Sequence, residues 1–302
     1  MNVFLAIDAG GTKTDYLLAD EYRELARVRG GTIKRMRADA PTAVGNLDAA
    51  LAELTAKSGI SMQSVSRTCI GTAGDSVPLV VDWLREALSA RVAGDLLLLG
   101  DVEIALDAAF PGASGVLVLA GTGSNVAGRG HDGALTFAGG WGPVLADQGS
   151  GHRIGMECLR ALFMARDEGR STTLTEAVLK FWQLGSLDAL VEYANCLPSP
   201  DFSQLTGLAL RCAQQGDAVA MEVLRREGES LGHLAKLVLR RLQAGPGAAP
   251  PLAFAGSIME NVAPVREALI ATVREEFPNI SVLDGVVDPI AGALWRARGG
   301  AR

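Results

Sequence analysis

The stretch LAIDAGGTKTDYLLAD, residues 5–20, places a carboxylate, two adjacent glycines and Thr-Lys-Thr between two apolar runs. The apolar runs predict two strands joined by a tight turn. Gly10 and Gly11 can take a positive φ there, whereas another residue would pay about 1 to 2 kcal/mol. With no side chains in the way, the backbone amides of the turn can bind one anion, with the Thr12 hydroxyl and the Lys13 ammonium beside it.

The carboxylate of Asp8 suits a phosphate site only if a cation lies between the two. Two negative charges roughly 4 Å apart repel by about 4 kcal/mol at an effective dielectric constant near 20. A Mg²⁺ ion between them reverses the sign of the interaction. An ordinary hairpin with Asp8 as a turn residue would leave the same pattern, and this stretch alone does not separate the two interpretations.

A second turn of this kind occurs in AGTGSNVAG, residues 120–128. A strand-like run precedes it, the turn contains Gly121 and Gly123, and Thr122 and Ser124 supply hydroxyls. The return of strand, glycine turn and strand about 110 residues after the first is the weak self-similarity expected of a duplicated fold. Two such turns could hold a phosphate chain from both sides.

Asp101 follows the apolar run DLLLLG. The carboxyl end of a strand is where sheet proteins commonly place functional groups. In phosphoryl transfer to an alcohol, such an aspartate accepts the hydroxyl proton, which typically accelerates the reaction 10²- to 10⁴-fold. Two alternatives stay open: Asp101 caps the helix that follows, or Asp107 on that helix is the catalytic carboxylate.

A glycine-rich loop, GGWGPVLADQGSGHRIG, occupies residues 139–155. Its backbone offers amides and carbonyls to a polar ligand, starting at Gly140. Trp141 could pack on the face of a sugar or fill a hinge, and Asp147 is expected to be buried.

Two further stretches carry weaker signals. FAGSIMEN, residues 254–261, predicts a strand that enters a helix through Gly256 and Ser257, where a nucleotide base or ribose could approach the backbone. GESLG matches the G-x-S-x-G nucleophile elbow, which requires a preceding strand. Apolar residues at helical spacing surround Ser230, so we predict a helix there and no elbow.

Composition indicates which framework holds these stretches. The chain has 302 residues, 48% apolar and 21% charged, with a mean hydropathy of +0.22. Length and composition predict two globular domains. A net charge of −6 disfavours nucleic acid as a partner. The chain shows no apolar run of 18 residues and no signal peptide, so we expect a cytoplasmic protein without a membrane partner.

The order of elements predicts an α/β fold. The first thirty residues read as antiparallel strands, after which strands and helices alternate. A mixed sheet flanked by helices fits this order. A second round of strands begins near Gly115, and residues from about 151 to 245 are predicted to be mainly helical.

In this order, IDAGGTKTDYLLAD, GD, LAGTGSN, GGWGPVLADQGSG and AGSIMEN resemble the acetate and sugar kinase/Hsp70/actin superfamily. The likeness is greatest to its N-acetylglucosamine kinase branch, which includes the BadF/BadG/BcrA/BcrD ATPase-type proteins. The resemblance implies two ribonuclease-H-like domains of the actin-like ATPase fold, each a mixed sheet flanked by helices, with a cleft between them. We expect the domains at 1–112 and 113–287, a helical insertion at about 151–245, and a last helix, about 288–302, that packs back on the first domain.

The resemblance also implies an activity: transfer of the γ-phosphoryl group of ATP to the 6-hydroxyl of N-acetylglucosamine or a related amino sugar, by a homodimer. Asp101 falls where these kinases keep the catalytic base, and Asp8 where they reach Mg²⁺ through water. The positions that match the ATP motifs are Gly10, Gly11, Thr12, Lys13, Gly121, Thr122, Gly123, Ser124, Gly256 and Ser257. Those expected to bind the sugar are Thr122, Asn125, Gly140, Trp141 and Asp147.

The segment GTIKRMR, residues 31–37, departs from the resemblance, because mammalian-type kinases have a small polar Ser-Thr-Asn there. Lys34, Arg35 and Arg37 are most simply a solvated face. If one of them pointed to the sugar, an acidic sugar such as N-acetylmuramic acid would become plausible.

The remaining alternatives are a glucosamine or N-acetylmuramic acid kinase, and a BadF-type ATPase or sugar-sensing module without kinase activity. Relatives that activate dehydratases hold an iron-sulfur cluster through cysteines, and no cysteine of this chain follows that pattern.

Overall fold

The structure is a computed structural model that describes residues 2–75, 77–243 and 249–300. In chain order its strands and helices are β1 (Val3–Ala9), β2 (Lys13–Ala19), β3 (Glu24–Gly31), α1 (Ala40–Ser58), β4 (Val65–Thr72), α2 (Pro78–Ser89), β5 (Asp95–Leu99), α3 (Asp101–Ala109), β6 (Gly115–Ala120), β7 (Ser124–Arg129), β8 (Leu135–Ala138), α4 (Gly151–Asp167), α5 (Leu174–Phe181), α6 (Leu187–Ala194), α7 (Thr206–Gln214), α8 (Ala218–Leu242), β9 (Leu252–Ala255), α9 (Ser257–Asn261), α10 (Ala263–Arg274) and α11 (Pro289–Ala297).

The described residues divide into two compact units. The first comprises the residues up to Leu117, Ala127–Leu135 and those from Val287 onward, and the second comprises Val118–Val126 and Thr136–Val286. The chain passes from the first unit to the second within β6 and back again within β7. The domain limits at 112 and 287 therefore stay a prediction.

The first unit is built on a five-stranded sheet in the order β3-β2-β1-β4-β5. Strands β1, β2 and β3 are antiparallel neighbours, whereas β4 runs parallel to β1 and β5 parallel to β4. This confirms the predicted antiparallel opening followed by alternating strands and helices. Because β1, β4 and β5 are parallel, their carboxyl ends meet at one edge of the sheet.

Alternation of side chains along β1 builds a core on each face of this sheet. Leu5 and Ile7 pack with α1 and α2, whereas Phe4 and Ala6 pack with α3 and α11. Both sets are apolar because neither face meets water.

Helix α11 closes the second of these cores. A Cβ atom at Gly292 would lie 1.8 Å from the carbonyl oxygen of Ile104, so only glycine allows α11 to approach α3 this closely. Asp288 precedes α11, but its carboxylate binds Arg27 at 2.5 Å and makes no capping hydrogen bond. Asp288 is nevertheless the N-cap residue of α11 by its backbone position.

Buried charges join α3 to its neighbours within the first unit. Asp107, fully buried on α3, accepts from Arg129 Nη2 at 2.5 Å and from Arg296 Nε at 2.6 Å. Arg296 Nη2 also donates to Glu103 at 3.1 Å. Since both carboxylate oxygens of Asp107 are engaged by buried arginines, the structure favours a structural role for this residue over the catalytic alternative.

The second unit carries most of the helices. A four-stranded sheet has the order β8-β7-β6-β9, and α4 to α8 lie in the chain between β8 and β9. The predicted helical stretch is thus observed from Gly151 to Leu242, and its expected end at 245 lies outside the described residues. Ser230 is inside α8 and donates to the carbonyl of Arg226 at 2.9 Å, which excludes a nucleophile elbow.

Residues 280–283 contribute an isolated bridge and not a full strand. The apolar run at 280–283 forms a single parallel bridge between Val282 and Leu252.

Among the helices that the structure describes, none combines the length and the apolar character needed to span a bilayer.

We predict that Asp107→Leu lowers the free energy of unfolding by about 3 to 5 kcal/mol, because two buried guanidinium groups lose a shared counter-ion. Urea denaturation followed by circular dichroism measures the change. The control is Asp95→Asn, which removes an exposed carboxylate 3.7 Å from Arg67 and should cost at most about 1 kcal/mol. Equal effects of the two substitutions would contradict the assigned role of Asp107.

Candidate functional site

The turn between β1 and β2 is shaped by a close backbone contact. A Cβ atom at Gly10 would lie 2.8 Å from the carbonyl oxygen of Lys13, so glycine is required by space. Neither Gly10 nor Gly11 has a positive φ, so this turn does not use the conformational freedom that the two glycines allow. The hairpin is closed by the approach of the Lys13 carbonyl, so no left-handed residue is needed. Thr12 and Lys13 are exposed, as a binding turn requires.

The segment after β3 is tied to this turn. The Thr32 hydroxyl donates to the carbonyl of Gly10 at 2.8 Å, and the amide of Ile33 donates to the Thr14 hydroxyl at 3.3 Å. The residues of GTIKRMR therefore lie against the candidate phosphate turn. These two hydrogen bonds join positions about twenty residues apart, and no sequence motif predicts them.

Lys34 belongs to the site. It is half-buried, and burial lowers the pKa of Lys34 while the nearby charges of Asp101 and Asp8 oppose that shift. The expectation of a solvated face is wrong for Lys34. Arg37 is exposed, with its Nε 4.0 Å from where a Cβ atom of Gly11 would lie.

The carboxyl ends of the parallel strands bring Asp8 and Asp101 together. Asp8 pairs in register with Gly71, Gly71 pairs with Leu99, and Asp101 follows two residues later. Burial, then the charges of Asp101 and Asp15, raises the pKa of Asp8 to about 7. The two aspartates thus share one edge of the sheet.

Asp101 is the first residue of α3, and Gly100 is the N-cap. The alternative that Asp101 is the N-cap of α3 is therefore wrong, because the N-cap lies one residue earlier. Asp101 Oδ1 nevertheless accepts a hydrogen bond from the amide of Val102 at 2.8 Å. Burial raises the pKa of Asp101, and Lys34 and that amide favour its charged form. Half-buried at the sheet edge, Asp101 has the setting of a general base.

In the second unit, the turn from Gly121 to Ser124 is held by the glycine-rich loop. The amide of Ser124 donates to Asp147 Oδ1 at 2.7 Å, and the Ser124 hydroxyl donates to the carbonyl of Gln148 at 2.7 Å. The amide of Gly151 donates to the carbonyl of Gly121 at 2.8 Å. Asp147 is buried as expected, and one of its oxygens is engaged in holding the turn.

Asn125 lies beside Gly140. At φ +76°, a Cβ atom of Gly140 would lie 2.6 Å from Asn125 Nδ2, so glycine is required by conformation and by space. Asn125 Oδ1 is buried and has no hydrogen-bond partner among the described residues. That unsatisfied acceptor suits a ligand hydroxyl or amide. Trp141 is 73% exposed and fills no hinge.

Gly256 and Ser257 lie next to the same turn. Gly256 has φ +92°, and its Cβ atom would lie 2.3 Å from the carbonyl oxygen of Ala120. Ser257 Oγ is 3.9 Å from where a Cβ atom of Gly121 would lie. The second unit therefore brings together two stretches expected to bind different parts of ATP.

One residue of this group was missed from the sequence. Glu227 on α8 is buried and accepts from the amide of Gly149 in the glycine-rich loop at 2.7 Å. Burial raises the pKa of Glu227, against the hydrogen bond from Gly149 and the charge of Arg153. The sequence did contain a signal that could have revealed this residue. The helical spacing of Val223, Leu224 and Leu231 assigns position 227 to the apolar face of the helix, where a glutamate is unusual.

The residues present fit a Mg²⁺ ion bound together with phosphate. Among the described residues, no cluster of three or more histidine, cysteine or acidic side chains could hold a metal alone. Mg²⁺ normally keeps several waters and uses one or two carboxylates with substrate phosphates. Asp8, a half-buried carboxylate whose pKa is raised to about 7 by burial and then by the charges of Asp101 and Asp15, could serve as such a single ligand.

The two sheets flanked by helices are those of an actin-like ATPase. The chain belongs to the BadF/BadG/BcrA/BcrD ATPase family, whose model matches residues 5–297. Membership of this family implies the use of ATP.

Relatives match along nearly the whole chain. An N-acetyl-D-glucosamine kinase of Dictyostelium discoideum is 29% identical over 98% of this chain and 97% of its own. An N-acetylmuramic acid/N-acetylglucosamine kinase of Clostridium acetobutylicum is 27% identical over 99% of both chains. A solved structure from Chromobacterium violaceum, provisionally named an N-acetylglucosamine kinase, is 26% identical with a TM-score of 0.76 over 97% of this chain and 98% of its own.

We predict that Asp8→Asn is more stable than the wild-type protein at pH 8, by about 1 to 2 kcal/mol after allowance for partial solvent screening. The folded chain keeps the Asp8 proton up to about pH 7, whereas the unfolded chain loses it near the ordinary value of 3.8. This group's contribution to stability is therefore lost as the pH rises from 4 to 7, so the advantage of Asp8→Asn should be smaller at pH 5 than at pH 8.

Urea denaturation at pH 5 and pH 8 measures this difference in the absence of Mg²⁺ and nucleotide. Glu86→Gln, which removes an exposed carboxylate from α2, serves as control and should follow the wild-type protein at both pH values. An advantage of Asp8→Asn that is the same at pH 5 and pH 8 would contradict the assigned electrostatic strain.

Proposed function

We propose that this chain is an ATP-dependent carbohydrate kinase that transfers the γ-phosphoryl group to the 6-hydroxyl of N-acetylglucosamine or a close amino sugar. The observation that carries the proposal is the meeting of Asp8 and Asp101 at one edge of the first sheet, beside a glycine turn. Full-length relatives named N-acetylglucosamine kinase support the choice of sugar.

Asp101 accepts the proton of the sugar hydroxyl in this mechanism. The bond from the hydroxyl oxygen to the γ-phosphorus forms while the bond from that phosphorus to the β-phosphate oxygen breaks, and ADP leaves. Because Asp101 is half-buried, it holds the proton away from bulk water, and Lys34 keeps its charged form available before the reaction.

The glycine turns orient the phosphates. In the first unit, the amides from Gly10 to Lys13 and the Lys13 ammonium bind phosphate oxygens. In the second unit, the turn Gly121–Ser124 binds phosphate and Gly256 with Ser257 receives the adenosine. Mg²⁺, held through Asp8, supplies charge neutralisation of the phosphates when it is bound.

The sugar contacts are assigned to Thr122, Asn125, Gly140, Trp141 and Asp147. Asn125 is the best supported, because its buried Oδ1 has no partner among the described residues. Domains at 1–112 and 113–287, a homodimer and a cytoplasmic location stay predictions.

We predict that Asp101→Asn lowers kcat by about 10²- to 10⁴-fold, because the amide cannot accept the hydroxyl proton. The dissociation constant for a non-hydrolysable ATP analogue should change less than about twofold, since Asp101 does not bind phosphate in this mechanism. A coupled assay with saturating N-acetylglucosamine and calorimetry measure the two quantities.

Asp95→Asn, which alters an exposed carboxylate at the start of the strand leading to Asp101, is the control and should retain wild-type kcat. Retention of most of the activity by Asp101→Asn would contradict the proposal. ATP hydrolysis independent of sugar, or sugar binding without phosphorylated product, would favour an ATPase or a sugar-sensing module.

An acidic amino sugar is a second candidate acceptor, favoured by Lys34. Its half-buried ammonium interacts with Asp101, the proposed base, and therefore lies at the acceptor end of the reaction. A carboxylate on the sugar could pair with it. The Clostridium acetobutylicum relative, named for N-acetylmuramic acid as well as N-acetylglucosamine, agrees with this candidate.

We predict that Lys34→Met lowers kcat/KM for N-acetylmuramic acid at least about tenfold more than for N-acetylglucosamine. Only N-acetylmuramic acid has a carboxylate, and the substitution removes the ammonium that would pair with it. The ratio of the two kcat/KM values is the measurement, since loss of Lys34 also disturbs Asp101. Lys57→Met, at an exposed lysine of α1, should leave the ratio unchanged. An equal loss for both sugars would remove this candidate.

A further inference from the structure

Helix α8 places a buried carboxylate against the glycine-rich loop of the second unit. Glu227 is 6% exposed, and its Oε2 accepts from the amide of Gly149 at 2.7 Å. Arg153 Nε lies 3.7 Å from Oε1 but makes no hydrogen bond, and Arg153 Nη2 is 3.2 Å from Glu157. A buried carboxylate is unfavourable to folding unless it binds a partner. The partner it meets at hydrogen-bond distance is the loop.

The same face of α8 contacts both ends of that loop. A Cβ atom at Gly149 would lie 2.2 Å from Leu231 Cδ1, and one at Gly139 would lie 2.9 Å from Leu234 Cδ1. Glu227, Leu231 and Leu234 are spaced by four and three residues, which puts them on one side of the helix. The loop backbone therefore rests on α8 at its start and near its end.

The contacts continue from Gly149 to the phosphate turn. One residue before it, the carbonyl of Gln148 accepts from the Ser124 hydroxyl, and Asp147 Oδ1 accepts from the Ser124 amide, both at 2.7 Å. A displacement of Gly149 must therefore be passed to Ser124 through two adjacent residues. The path uses backbone groups, the Ser124 hydroxyl and the buried carboxylate of Asp147.

We propose that Glu227 is a positioning residue for the turn Gly121–Ser124. It fixes Gly149, and through Asp147 and Gln148 it sets the direction of the Ser124 amide and hydroxyl. Glu227 touches no substrate itself. Its effect on nucleotide rests on the proposed function of this turn, whereas its effect on the geometry of the turn does not.

Amide hydrogen exchange tests the geometry directly. Glu227→Leu leaves the Gly149 amide without its acceptor, and exchange should accelerate at least about tenfold in peptides covering 145–152 and 119–127. Glu227→Gln retains a carbonyl that accepts the same hydrogen bond and should stay within about threefold of the wild-type protein. The peptide covering 3–19, in the first unit, reports any global loss of stability and should not change.

Binding of a non-hydrolysable ATP analogue with Mg²⁺, measured by calorimetry, tests the consequence. The dissociation constant should rise at least about tenfold in Glu227→Leu and less than about threefold in Glu227→Gln. The matched control is Glu229→Gln, a partly exposed residue on the same helix that pairs with Arg225, and it should match the wild-type protein in both measurements.

Gly149→Ala provides a second route if Glu227→Leu folds poorly. Its methyl group would collide with Leu231 and displace the same backbone with Glu227 intact, so it should reproduce the exchange pattern. Unchanged exchange at 119–127 in both variants would overturn the positioning role. Faster exchange with weaker nucleotide binding, in a protein that phosphorylates no sugar, would support the positioning role and refute the kinase proposal alone.

Discussion

The placement of two half-buried carboxylates, Asp8 and Asp101, at one edge of the sheet is the constraint on which the first unit depends. Three parallel strands end at one edge and bring both carboxylates there, where burial, then the charges of Asp101 and Asp15, raises the pKa of Asp8 to about 7. Both groups can be ionised together at low cost only with cations close by. Lys34, carried in by a segment that hydrogen bonds to the glycine turn, supplies one of them. A magnesium ion held with nucleotide phosphate would supply the other.

Helix α3 must stay in place for Asp101 to be useful, and its surroundings are built for that purpose. Gly292 lets α11 pack against the α3 backbone, and a Cβ atom at Gly71 would lie 2.2 Å from Ile104 Cδ1. Asp107 then binds two buried arginines. The dense packing and the buried ion pairs hold α3 in a single position. A catalytic base at the first residue of the helix requires such a fixed position.

In the second unit, the Ser124 turn depends on a different means of support. Its amide and hydroxyl are bound by the loop at 147–148, and that loop rests on α8 through glycines that leave no space for a side chain. Glycine here serves close approach as much as flexibility. The same is true of Gly10, which has no positive φ and is required by the close approach of the Lys13 carbonyl oxygen.

The sequence by itself determined the order of strands and helices, the two glycine turns and the location of Asp8 and Asp101 at strand ends, because these depend on local periodicity and on spacing along the chain. It also pointed to the family through motifs kept in order. Only the tertiary structure decided that Lys34 joins the site, that Asp107 is structural and that Glu227 holds the loop. The roles of Asp107 and Glu227 depend on partners 22 to 189 residues away in the chain. The role of Lys34 depends on the strand ends that carry Asp8 and Asp101, beside which its segment folds. Side-chain type alone cannot tell a buried, paired charge from a solvated one, because the difference lies in what the fold packs around it.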